Sequence, residues 1–446
     1  MKRKYLYPAA LVLFITAVAF IFLRFNTIAK EASNYQIKER SSVLADAAEY
    51  QRTKASASRL KMKLEDKPED DKSALALTSI FIQEARITGD YIYYDQAAMH
   101  YVNQVLQRDP ENFLALTYKA LIYLSQHHFA DGRDVAEKAK AINPYNAFIY
   151  GLLVDANVEM GNYKQAISYS DSMVSMRPDL SSYSRISYLR EIHGDYPGAI
   201  SAMNMAVDAG MPGDEGTEWA RIQLAHLYEN TGDLKNAEFS YRIALDERKN
   251  YPFAMAGLGR IYAAQKNYNE ALKYYIAADS IITDYGIKEE MVDVYKLAGQ
   301  PNKSEELANT IIEEMNKDAE AGNEDENIGH YADRELAYAY LKINDKEKAL
   351  NHALAEYNRR PKNNDANETV AWVYYSRGQA EKSVPFIEEA LKTNSRNPVL
   401  LGRAGLIYMA TGNTIKAKDL LQASIKSSPL LNPELHFDIK KALQKL

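Results

Sequence analysis

The stretch that decides the fold is GNYKQAISYSDSMVSMRP, residues 161–178, because its opening pattern returns farther along the chain. GDYPGAISAMNMAVDAGMP begins at Gly194, and KNYNEALKYYIAADSII begins at Lys266. In each stretch an aromatic residue stands two places after the first residue, and Ala stands five places after it. A pattern that returns at a fixed period predicts a repeat architecture, in which one small unit is stacked many times.

The period is close to 34 residues. When the residue that turns the chain between two helices is the reference, successive spacings are 34, 33, 38, 34, 33, 45, 34 and 34 residues. The nine turn positions are His127, Gly161, Gly194, Gly232, Lys266, Gly299, Asn344, Gly378 and Gly412. Gly and Asn tolerate the left-handed conformation that ends a helix, so each position predicts the turn of a helical hairpin. The two long spacings predict exposed loops at residues 210–218 and 316–329, which are rich in Gly and acidic residues.

Two further positions of the repeat are constant in character. The residue five places after each turn is small, which lets two helices approach closely. These small residues are Gly132, Ala166, Ala199, Ala237, Ala271, Ser304, Ala349, Ser383 and Ala417. Seven of the nine units carry Tyr four places before the turn, at Tyr123, Tyr228, Tyr262, Tyr295, Tyr340, Tyr374 and Tyr408. Many of the 33 tyrosines are therefore expected in the core of the protein.

This combination of period, small residues and tyrosines resembles the tetratricopeptide repeat (TPR) family from about Lys72 to Pro429. The resemblance implies an all-α fold, an α-α superhelix built as a TPR solenoid of about ten helical hairpins, which we place at residues 73–429. Residues 430–446 predict a C-terminal capping helix that shields the last repeat. The block SYSRISYLREIHGDYPGAISAMNMAVDAG, residues 182–210, resembles a widespread, poorly characterised group of membrane-anchored bacterial TPR proteins. No chemistry follows from that second resemblance.

The N-terminus predicts a membrane anchor. Residues 5–23 carry no charge, and 19 such residues approach the length that a helix needs to cross a bilayer. We assign residues 1–27 to an N-terminal signal-anchor transmembrane helix and residues 28–72 to a helical stalk and hinge. The basic residues at positions 2–4 predict a cytoplasmic N-terminus, which puts the array in the periplasm of a bacterium, tethered to the inner membrane. The alternative is a cleaved signal, suggested by Ala17-Val18-Ala19, which would release a secreted protein.

Composition excludes several classes of function. The chain has no cysteine, which excludes disulfides, thiolate metal sites and a cysteine nucleophile. Seven Lys or Arg against two Glu in residues 1–40 leave a net charge of −11 on the remainder of a chain whose total is −6. An array this acidic argues against nucleic acid as a partner, because such binding rests on phosphate neutralisation. No cofactor motif is present, and we expect neither a cofactor nor a metal.

Candidate binding residues occupy positions that the packing of the repeat does not require. In the TPR architecture the first helix of each repeat lines a concave groove, and the residues 13, 10, 9 and 6 places before the turn point into it. These positions give the partner-binding candidates Arg185, Tyr188, Trp219, Gln223, His226, Arg260, Arg334, Tyr338, Trp372 and Arg403, with Asp155, Asp293 and Tyr331 beside them. Tryptophan, Tyr and Arg are enriched at interface anchors, and both tryptophans of the chain occupy such positions.

A purely structural interpretation competes with this one. Trp219 could pack on the loop before its helix, and Arg185 and Arg260 could pair with Glu191 and Glu229 on neighbouring helices. The adjoining His127 and His128 are interpreted as structural rather than as metal ligands. The carboxylate pairs Glu289-Glu290 and Glu313-Glu314 are likewise interpreted as solvated helix faces. The planar arginine side chains suit a carboxylate ligand, although the family's known carboxylate clamp, built from Lys and Asn, is not reproduced here.

Three functions remain open. The first is a non-enzymatic, membrane-tethered scaffold that binds a protein or peptide partner in its groove during bacterial cell-envelope assembly. The second is a periplasmic small-molecule or glycan binding protein that uses Tyr188, Trp219 and Trp372 as stacking platforms. The third is a carboxylate-dependent hydrolase, which would need a concave acid pair with one perturbed pKa. Asp155 and Asp293 lie too many repeats apart to form that pair.

Overall fold

The computed structural model describes Phe14 and residues 35–41, 47–323, 329–427 and 433–446. These residues form 22 α-helices and no strand. The all-α fold predicted from the sequence is thereby confirmed. Within these ranges no helix combines the length and the apolar character needed to cross a bilayer. The predicted anchor, residues 5–23, lies outside the described residues except for Phe14.

The helices form ten consecutive hairpins between one helix at each end. The end helices are α1 (Ala47–Asp66) and α22 (Pro433–Leu443). The first helices of the hairpins are α2 (Asp71–Thr88), α4 (Phe113–Ser125), α6 (Ala147–Glu159), α8 (Leu180–Ile192), α10 (Glu215–Thr231), α12 (Pro252–Ala264), α14 (Tyr285–Leu297), α16 (Asp333–Lys342), α18 (Asn364–Ser376) and α20 (Pro398–Ala410). The second helices are α3 (Tyr91–Arg108), α5 (Phe129–Ile142), α7 (Tyr163–Met176), α9 (Tyr196–Asp208), α11 (Leu234–Glu247), α13 (Tyr268–Asp279), α15 (Pro301–Asn323), α17 (Lys346–Arg359), α19 (Ala380–Ala390) and α21 (Thr414–Ser427).

The turns within the hairpins adopt the predicted left-handed backbone. All nine turn positions have φ between 60° and 83°, and Gly89, with φ 74°, makes the same turn in the first hairpin. The residue after the turn then starts the second helix. Asp195 and Asp233 each accept a hydrogen bond from the backbone N–H three residues later, at 3.0 and 3.1 Å. A left-handed residue followed by Asp or Asn therefore ends one helix and caps the next.

Small residues keep the two helices of a hairpin close together. The predicted positions five places after the turn are all buried, from Gly132 to Ala417. A Cβ atom added at Gly132 would lie 2.9 Å from a methyl group of Leu124. Glycine also brings neighbouring hairpins together, because a Cβ atom at Gly257 of α12 would lie 2.3 Å from the Tyr241 ring of α11. The core thus runs as a continuous layer of Ala, Leu, Ile and Tyr between the inner and outer helices.

The two insertions are more helical than predicted. Residues 316–323 extend α15 to Asn323 instead of forming a loop, and α10 already begins at Glu215 within the other insertion. Glu218 is buried there and accepts a hydrogen bond from the backbone N–H of Gly213, which fixes the short loop that remains. Acidic residues of high helix propensity explain the first difference, because Ala, Glu and Lys continue a helix unless Gly or Pro stops it.

The segments that flank the ten hairpins, residues 35–66 and 433–446, contain described residues that pack on the array. Helix α1 lies against α2, and its Ala57 belongs to the first hydrophobic cluster. Residues 35–41 cross the same hairpin. The backbone N–H of Gln36 donates to the Tyr93 hydroxyl, and this hydroxyl donates to the Gln36 carbonyl oxygen, each at 2.9 Å. At the other end Leu435 and Ile439 of α22 cover Leu406 and Leu421 of the last hairpin.

Successive turns of the superhelix contact each other, which the sequence did not predict. Residues 126–163 contact residues 329–364 one superhelical turn later, and we call this contact the inter-turn seam. The hydrogen bonds and ion pairs that cross between turns join residues 199 to 205 positions apart, close to six repeats of 34 residues. The Asn364 N–H donates to the Tyr163 hydroxyl at 2.8 Å. Six hairpins therefore complete one turn of the superhelix.

Histidines and arginines form much of the seam. The rings of His127 and His330 lie 4.2 Å apart between centroids, and the His128 ring stacks on Tyr331 at 4.0 Å. Burial, together with the neighbouring His127 and His128, lowers the pKa of His330 to about 3. Arg360 pairs with Glu159 of the preceding turn and lies 4.9 Å over the Phe129 ring. His127 and His128 therefore have a structural role, which is to hold two turns of the superhelix together.

Candidate functional site

The inner helices enclose a lumen because successive turns of the superhelix touch. Two cavities of about 670 and 460 Å³ lie inside it, and Tyr188 and Glu191 line both. Tyr188 is 40% exposed, yet it lies deep within the molecule, and burial raises its pKa well above the usual value. Its exposed surface therefore faces the lumen rather than the outer solvent. The two cavities are neighbours that meet at this side chain.

The smaller cavity, here called the aromatic chamber, is lined by α2 to α10. Four predicted residues line it, namely Arg185, Tyr188, Trp219 and Gln223. Its wall also carries apolar side chains, among them Tyr91, Phe148 and Leu180. Trp219 is 38% exposed and packs edge-to-face on Phe253, with ring centroids 5.1 Å apart. One side of the indole is thus held in place while the rest is available to a ligand.

The polar groups of the aromatic chamber have partners in the chain. Arg185 binds both carboxylate oxygens of Asp155, at 2.9 and 2.6 Å. It does not pair with Glu191, the partner suggested above. Arg86 pairs with Glu215 at 3.1 Å, and Asp95 accepts a hydrogen bond from Ser125 at 2.7 Å. Burial raises the pKa of Asp95 to about 7. Recognition in this chamber therefore depends on apolar and aromatic contact more than on charge.

The larger cavity, here called the acidic chamber, is lined by the ends of α6 and α8, by the start of α7, and by the inner helices α14, α16, α18 and α20. Three predicted residues reach it besides Tyr188, namely Arg334, Tyr338 and Arg403. Arg403 donates to Glu368 at 2.9 Å and to the Tyr338 hydroxyl at 2.8 Å. Arg334 differs, because no ion pair joins it to a carboxylate in the described part of the chain. Its guanidinium lies 5.7 Å from the Tyr338 ring centroid.

Three predicted residues line neither chamber. Arg260 is an internal tie that donates to Glu229 at 3.2 Å, to Glu290 at 3.0 Å and to the Tyr241 hydroxyl at 2.9 Å. It also bonds the Nε2 of His226 at 2.6 Å. Burial and the adjacent Arg260 charge hold the pKa of His226 well below its usual value, so the neutral ring accepts this hydrogen bond. The pairing interpretation therefore describes Arg260 better than the groove interpretation does.

Trp372 also packs against other side chains in the interior of the protein. Its ring stacks on Tyr375 at 5.0 Å and joins the cluster that packs against the C-terminal helix α22. The Arg403 guanidinium lies 5.0 Å over the same ring. Of the other groove positions, Asp293 pairs with Lys342 at 2.6 Å, and Tyr331 belongs to the inter-turn seam. The structure thus brings together only part of the predicted set.

Carboxylates are the residues that the sequence reasoning missed. Six of them line the acidic chamber, whereas only three cationic side chains do: Glu191, Glu289, Glu290, Glu335, Asp365 and Glu368 against Arg334, Lys342 and Arg403. The interpretation of Glu289-Glu290 as a solvated face is therefore wrong, although Glu313 is exposed as expected. The positions of these carboxylates in the repeat could have identified them. Glu289 stands ten places before Gly299, and Glu335 stands nine places before Asn344, which are groove positions of the repeat.

Two of these carboxylates have an oxygen without a hydrogen-bond partner in the part of the chain that the structure describes. Within the described residues no hydrogen bond reaches Oε1 of Glu289 or Oε2 of Glu335. Burial raises the pKa of Glu289 to about 7, against the opposing influence of Lys342. Burial also raises the pKa of Glu191 to about 7, although Asn230 donates to it at 3.2 Å. Unpaired buried polar atoms are rare in proteins, and each one calls for an explanation.

The chamber offers no ready metal site. No group of three or more His, Asp or Glu is placed to hold a metal ion anywhere in the ranges that the structure covers. The carboxylates are spread over four helices of the wall, from α8 to α18. Their arrangement suits a larger charged ligand better than a single ion, because an ion needs several oxygens around one point.

Comparison with known proteins confirms the resemblance to the tetratricopeptide repeat family. A tetratricopeptide repeat family model matches residues 94–147 and 222–282. The comparison with curated proteins gives no match. The resemblance to the membrane-anchored bacterial group stays a prediction.

Solved structures of TPR proteins are similar in part. A thermophilic TPR protein of Thermus thermophilus is 20% identical, covers 46% of this chain and 98% of its own, and has a TM-score of 0.35. A TPR protein of Parabacteroides merdae is 17% identical, with coverage of 56% and 94% and a TM-score of 0.43. PilF of Pseudomonas aeruginosa is 13% identical, with coverage of 46% and 92% and a TM-score of 0.37.

Proposed function

We propose that this protein is a non-enzymatic TPR scaffold that binds a short segment of a partner protein inside its lumen. Helical repeat arrays generally present their concave surface to protein partners. The observation that carries the proposal is the pair of joined chambers, in which Trp219 and Tyr188 keep exposed surface although the turns of the superhelix enclose them. A folded domain does not fit such a space, whereas an extended segment of a few residues does.

The tether and the location are part of the same proposal. The uncharged run of residues 5–23 supports a single-pass anchor in the inner membrane, with the array in the periplasm. A scaffold held there is suited to the assembly of cell-envelope machinery. Release after signal cleavage is the alternative location.

A second candidate is a small-molecule or glycan binding protein. It is supported by the volumes of the two chambers, which fall within the range of about 300 to 1,000 Å³ typical of small-ligand sites. The third candidate, a carboxylate-dependent hydrolase, is supported by the raised pKa of Glu191 and Glu289. Asn230 donates a hydrogen bond to Glu191, whereas Glu289 lies near Lys342. The pKa of both carboxylates is nevertheless raised to the same value, about 7, whereas the acid and the base of a hydrolase need pKa values that differ. We therefore rank binding above hydrolysis.

Site-specific photocross-linking distinguishes these candidates. A photoreactive amino acid at Gln223, which lines the aromatic chamber, is expected to capture the occupant in living cells. The same amino acid at Phe239, which is 62% exposed on the outer helix α11, is the matched control and should not. Adding Trp219→Ala should reduce capture at position 223 by about tenfold or more, because aromatic anchors contribute most to binding.

The mass of the captured product identifies the class of ligand. An adduct of protein size supports the scaffold, and an adduct of a few hundred daltons supports the small-molecule alternative. Equal capture from positions 223 and 239, or capture that Trp219→Ala leaves unchanged, would contradict binding in the lumen.

A further inference from the structure

The charges of the acidic chamber do not balance, and this identifies the chemistry of a ligand. Lys342 is neutralised by Asp293, and Glu290 is neutralised by Arg260, both of which lie outside the chamber lining. Arg403 and Glu368 neutralise each other. Four carboxylates remain, Glu191, Glu289, Glu335 and Asp365, and they face one remaining cation, Arg334. Glu191 and Glu289, whose pKa is about 7, are partly protonated at neutral pH, and the free chamber still carries a surplus of negative charge.

This surplus of negative charge argues against the carboxylate ligand that the arginines suggested in the sequence. The planar forks of Arg185, Arg260 and Arg403 suggested a carboxylate ligand. Each of the three is paired with a carboxylate of the chain itself. Asp365, Glu335 and Glu368 surround Arg334 closely enough to raise its pKa despite burial. An anionic ligand would thus meet arginines that are already neutralised, together with carboxylates that repel it.

The surplus charge lies in an enclosed space rather than on a solvated face. Oε1 of Glu289 and Oε2 of Glu335 lack hydrogen-bond partners among the described residues and have almost no surface exposed to solvent. A buried carboxylate without a partner costs free energy that a cation can restore by binding to it. Because the chamber is walled by protein, the attraction is screened less than it would be on an open surface.

The neighbouring aromatic chamber accounts for the second part of the ligand. It opens to the acidic chamber at Tyr188 and Glu191, and both of its arginines are paired, Arg86 with Glu215 and Arg185 with Asp155. Its free surface consists of Trp219, Tyr188 and aliphatic side chains such as Leu180. A ligand that extends through both spaces must therefore be cationic at one end and apolar at the other.

We infer that the lumen binds a cationic peptide segment, with a basic side chain or a free amino terminus in the acidic chamber and an apolar or aromatic side chain beside Trp219. This inference rests on the proposed function and names the class of its ligand. The cation offsets the surplus negative charge of Glu191, Glu289, Glu335 and Asp365, which line the acidic chamber. The apolar side chain packs on the exposed face of the indole.

The intrinsic fluorescence of Trp219 measures occupancy directly. The chain has two tryptophans, and Trp372 lies outside both chambers, so Trp372→Phe leaves a single reporter in the lumen. All measurements use the full chain with this replacement. The probes are the tripeptide amide Lys-Leu-Phe and, as its anionic counterpart, N-acetyl-Glu-Leu-Phe with a free carboxyl terminus. We expect the cationic peptide to change the fluorescence and to bind at least about tenfold more tightly than the anionic one.

Charge variants locate the interaction. Glu289→Gln and Glu335→Gln should each weaken binding of the cationic peptide by about tenfold, because each removes a buried charge that faces it. Glu381→Gln removes the same charge from an exposed position on α19 and should leave the dissociation constant unchanged. Glu289→Gln should melt no lower than its parent, because burial already disfavours the charged form of this carboxylate. A loss of binding by this variant is therefore not a loss of fold.

The pH dependence has a definite sign. The pKa of Glu289 is about 7 in the free chain, and a bound cation lowers it, so binding releases a proton. For N-acetyl-Lys-Leu-Phe amide, which has no α-amino group titrating in this range, affinity should therefore fall as the pH is lowered from 8 to 6, and Glu289→Gln should reduce that dependence.

The possible outcomes separate the inference from the proposed function. Equal or tighter binding of the anionic peptide would overturn the cationic assignment while leaving binding in the lumen intact. Binding that Glu289→Gln and Glu335→Gln both fail to weaken would do the same. No fluorescence change with either peptide at millimolar concentration would overturn the inference itself, and the photocross-linking at Gln223 would then decide the proposed function alone.

Discussion

Replacing Arg260 by Met is expected to lower the free energy of unfolding by about 3 to 5 kcal/mol, which is the typical effect of removing one partner of a buried ion pair. The guanidinium of Arg260 joins Glu229 of α10 to Glu290 of α14, across its own helix α12. Without it, two carboxylates would be left facing each other with no cation between them. Met keeps much of the side-chain volume, so the loss reports charge rather than a cavity.

Arg242→Met is the matched control for this change. Arg242 pairs with Glu238 on one exposed face of α11, at 2.6 Å and four residues apart. Such surface pairs contribute only about 0.3 to 0.5 kcal/mol. Urea denaturation followed by circular dichroism should therefore separate the two variants clearly. A similar loss for both would show that the inner ion network adds nothing beyond a surface pair.

The deficit of Arg260→Met should also depend on pH in a predictable direction. Burial already raises the pKa of Glu229 when Arg260 is present, and removal of the cation raises it further. Protonation then removes the unpaired charge. The variant should therefore recover part of its lost stability as the pH is lowered from 8 towards 5. A deficit that grows on acidification would contradict the role assigned to the carboxylates.

Replacing Gly161 by Ala is expected to destabilise the fold by several kcal/mol, through two separate effects. The left-handed backbone at φ 72° costs a residue with a Cβ atom about 1 to 2 kcal/mol. The new Cβ atom would also lie 2.2 Å from the carbonyl oxygen of Lys362 on the next superhelical turn. Forcing two packed elements apart typically costs about 1 to 3 kcal/mol more.

Gly378→Ala isolates the second effect. Gly378 makes the same turn at φ 73°, but no atom outside its own turn lies within 4 Å of the Cβ position. It should therefore show the backbone cost alone. The difference between the two variants, measured by thermal and urea unfolding, reports contact between the turns. Equal destabilisation by both replacements would mean that the seam is not closed in solution.

The hairpins could be predicted from the sequence because their causes are local. A left-handed turn favours Gly or Asn, and close helix packing requires a small residue five places later. Both requirements leave a mark every 34 residues, and all nine turn positions prove to be left-handed. His127 and Lys266 adopt the same conformation without being Gly or Asn. There the period alone located the turn.

Closure of the superhelix could not be predicted, because it depends on many small rotations added together. Each repeat turns slightly relative to its neighbour, and only the sum over six repeats decides whether two turns touch. The seam residues give no local sign of this. Gly161 and Gly378 occupy equivalent positions in the repeat, yet only Gly161 meets the next turn.

The candidate site was predicted in part for a related reason. Position in the repeat correctly brought Tyr188 and Trp219 to the lumen. Selecting for aromatic residues and arginines at those positions, however, passed over Glu289 and Glu335. Whether an arginine is free or paired depends on the neighbouring repeat. Arg260 and Arg334 look alike in the sequence, yet one is fully paired and the other is not.

The central claim is that successive turns of the superhelix touch and thereby enclose the lumen. Distance measurement between two spin labels tests it most directly, and the absence of native cysteine makes the labelling specific. Lys164→Cys and Lys362→Cys place the labels on exposed positions at opposite sides of the seam. Lys235→Cys with Asn269→Cys, one repeat apart on neighbouring hairpins, is the control pair, whose distance does not depend on closure.

Pulsed electron–electron double resonance on the full chain should give a single narrow distribution at short distance for the pair at positions 164 and 362. That distribution should be as narrow as the one for the control pair. A broad distribution at long distance across the seam, with an unchanged control, would show an open superhelix. The inner surface would then be a groove, and the enclosed chambers would not exist in solution.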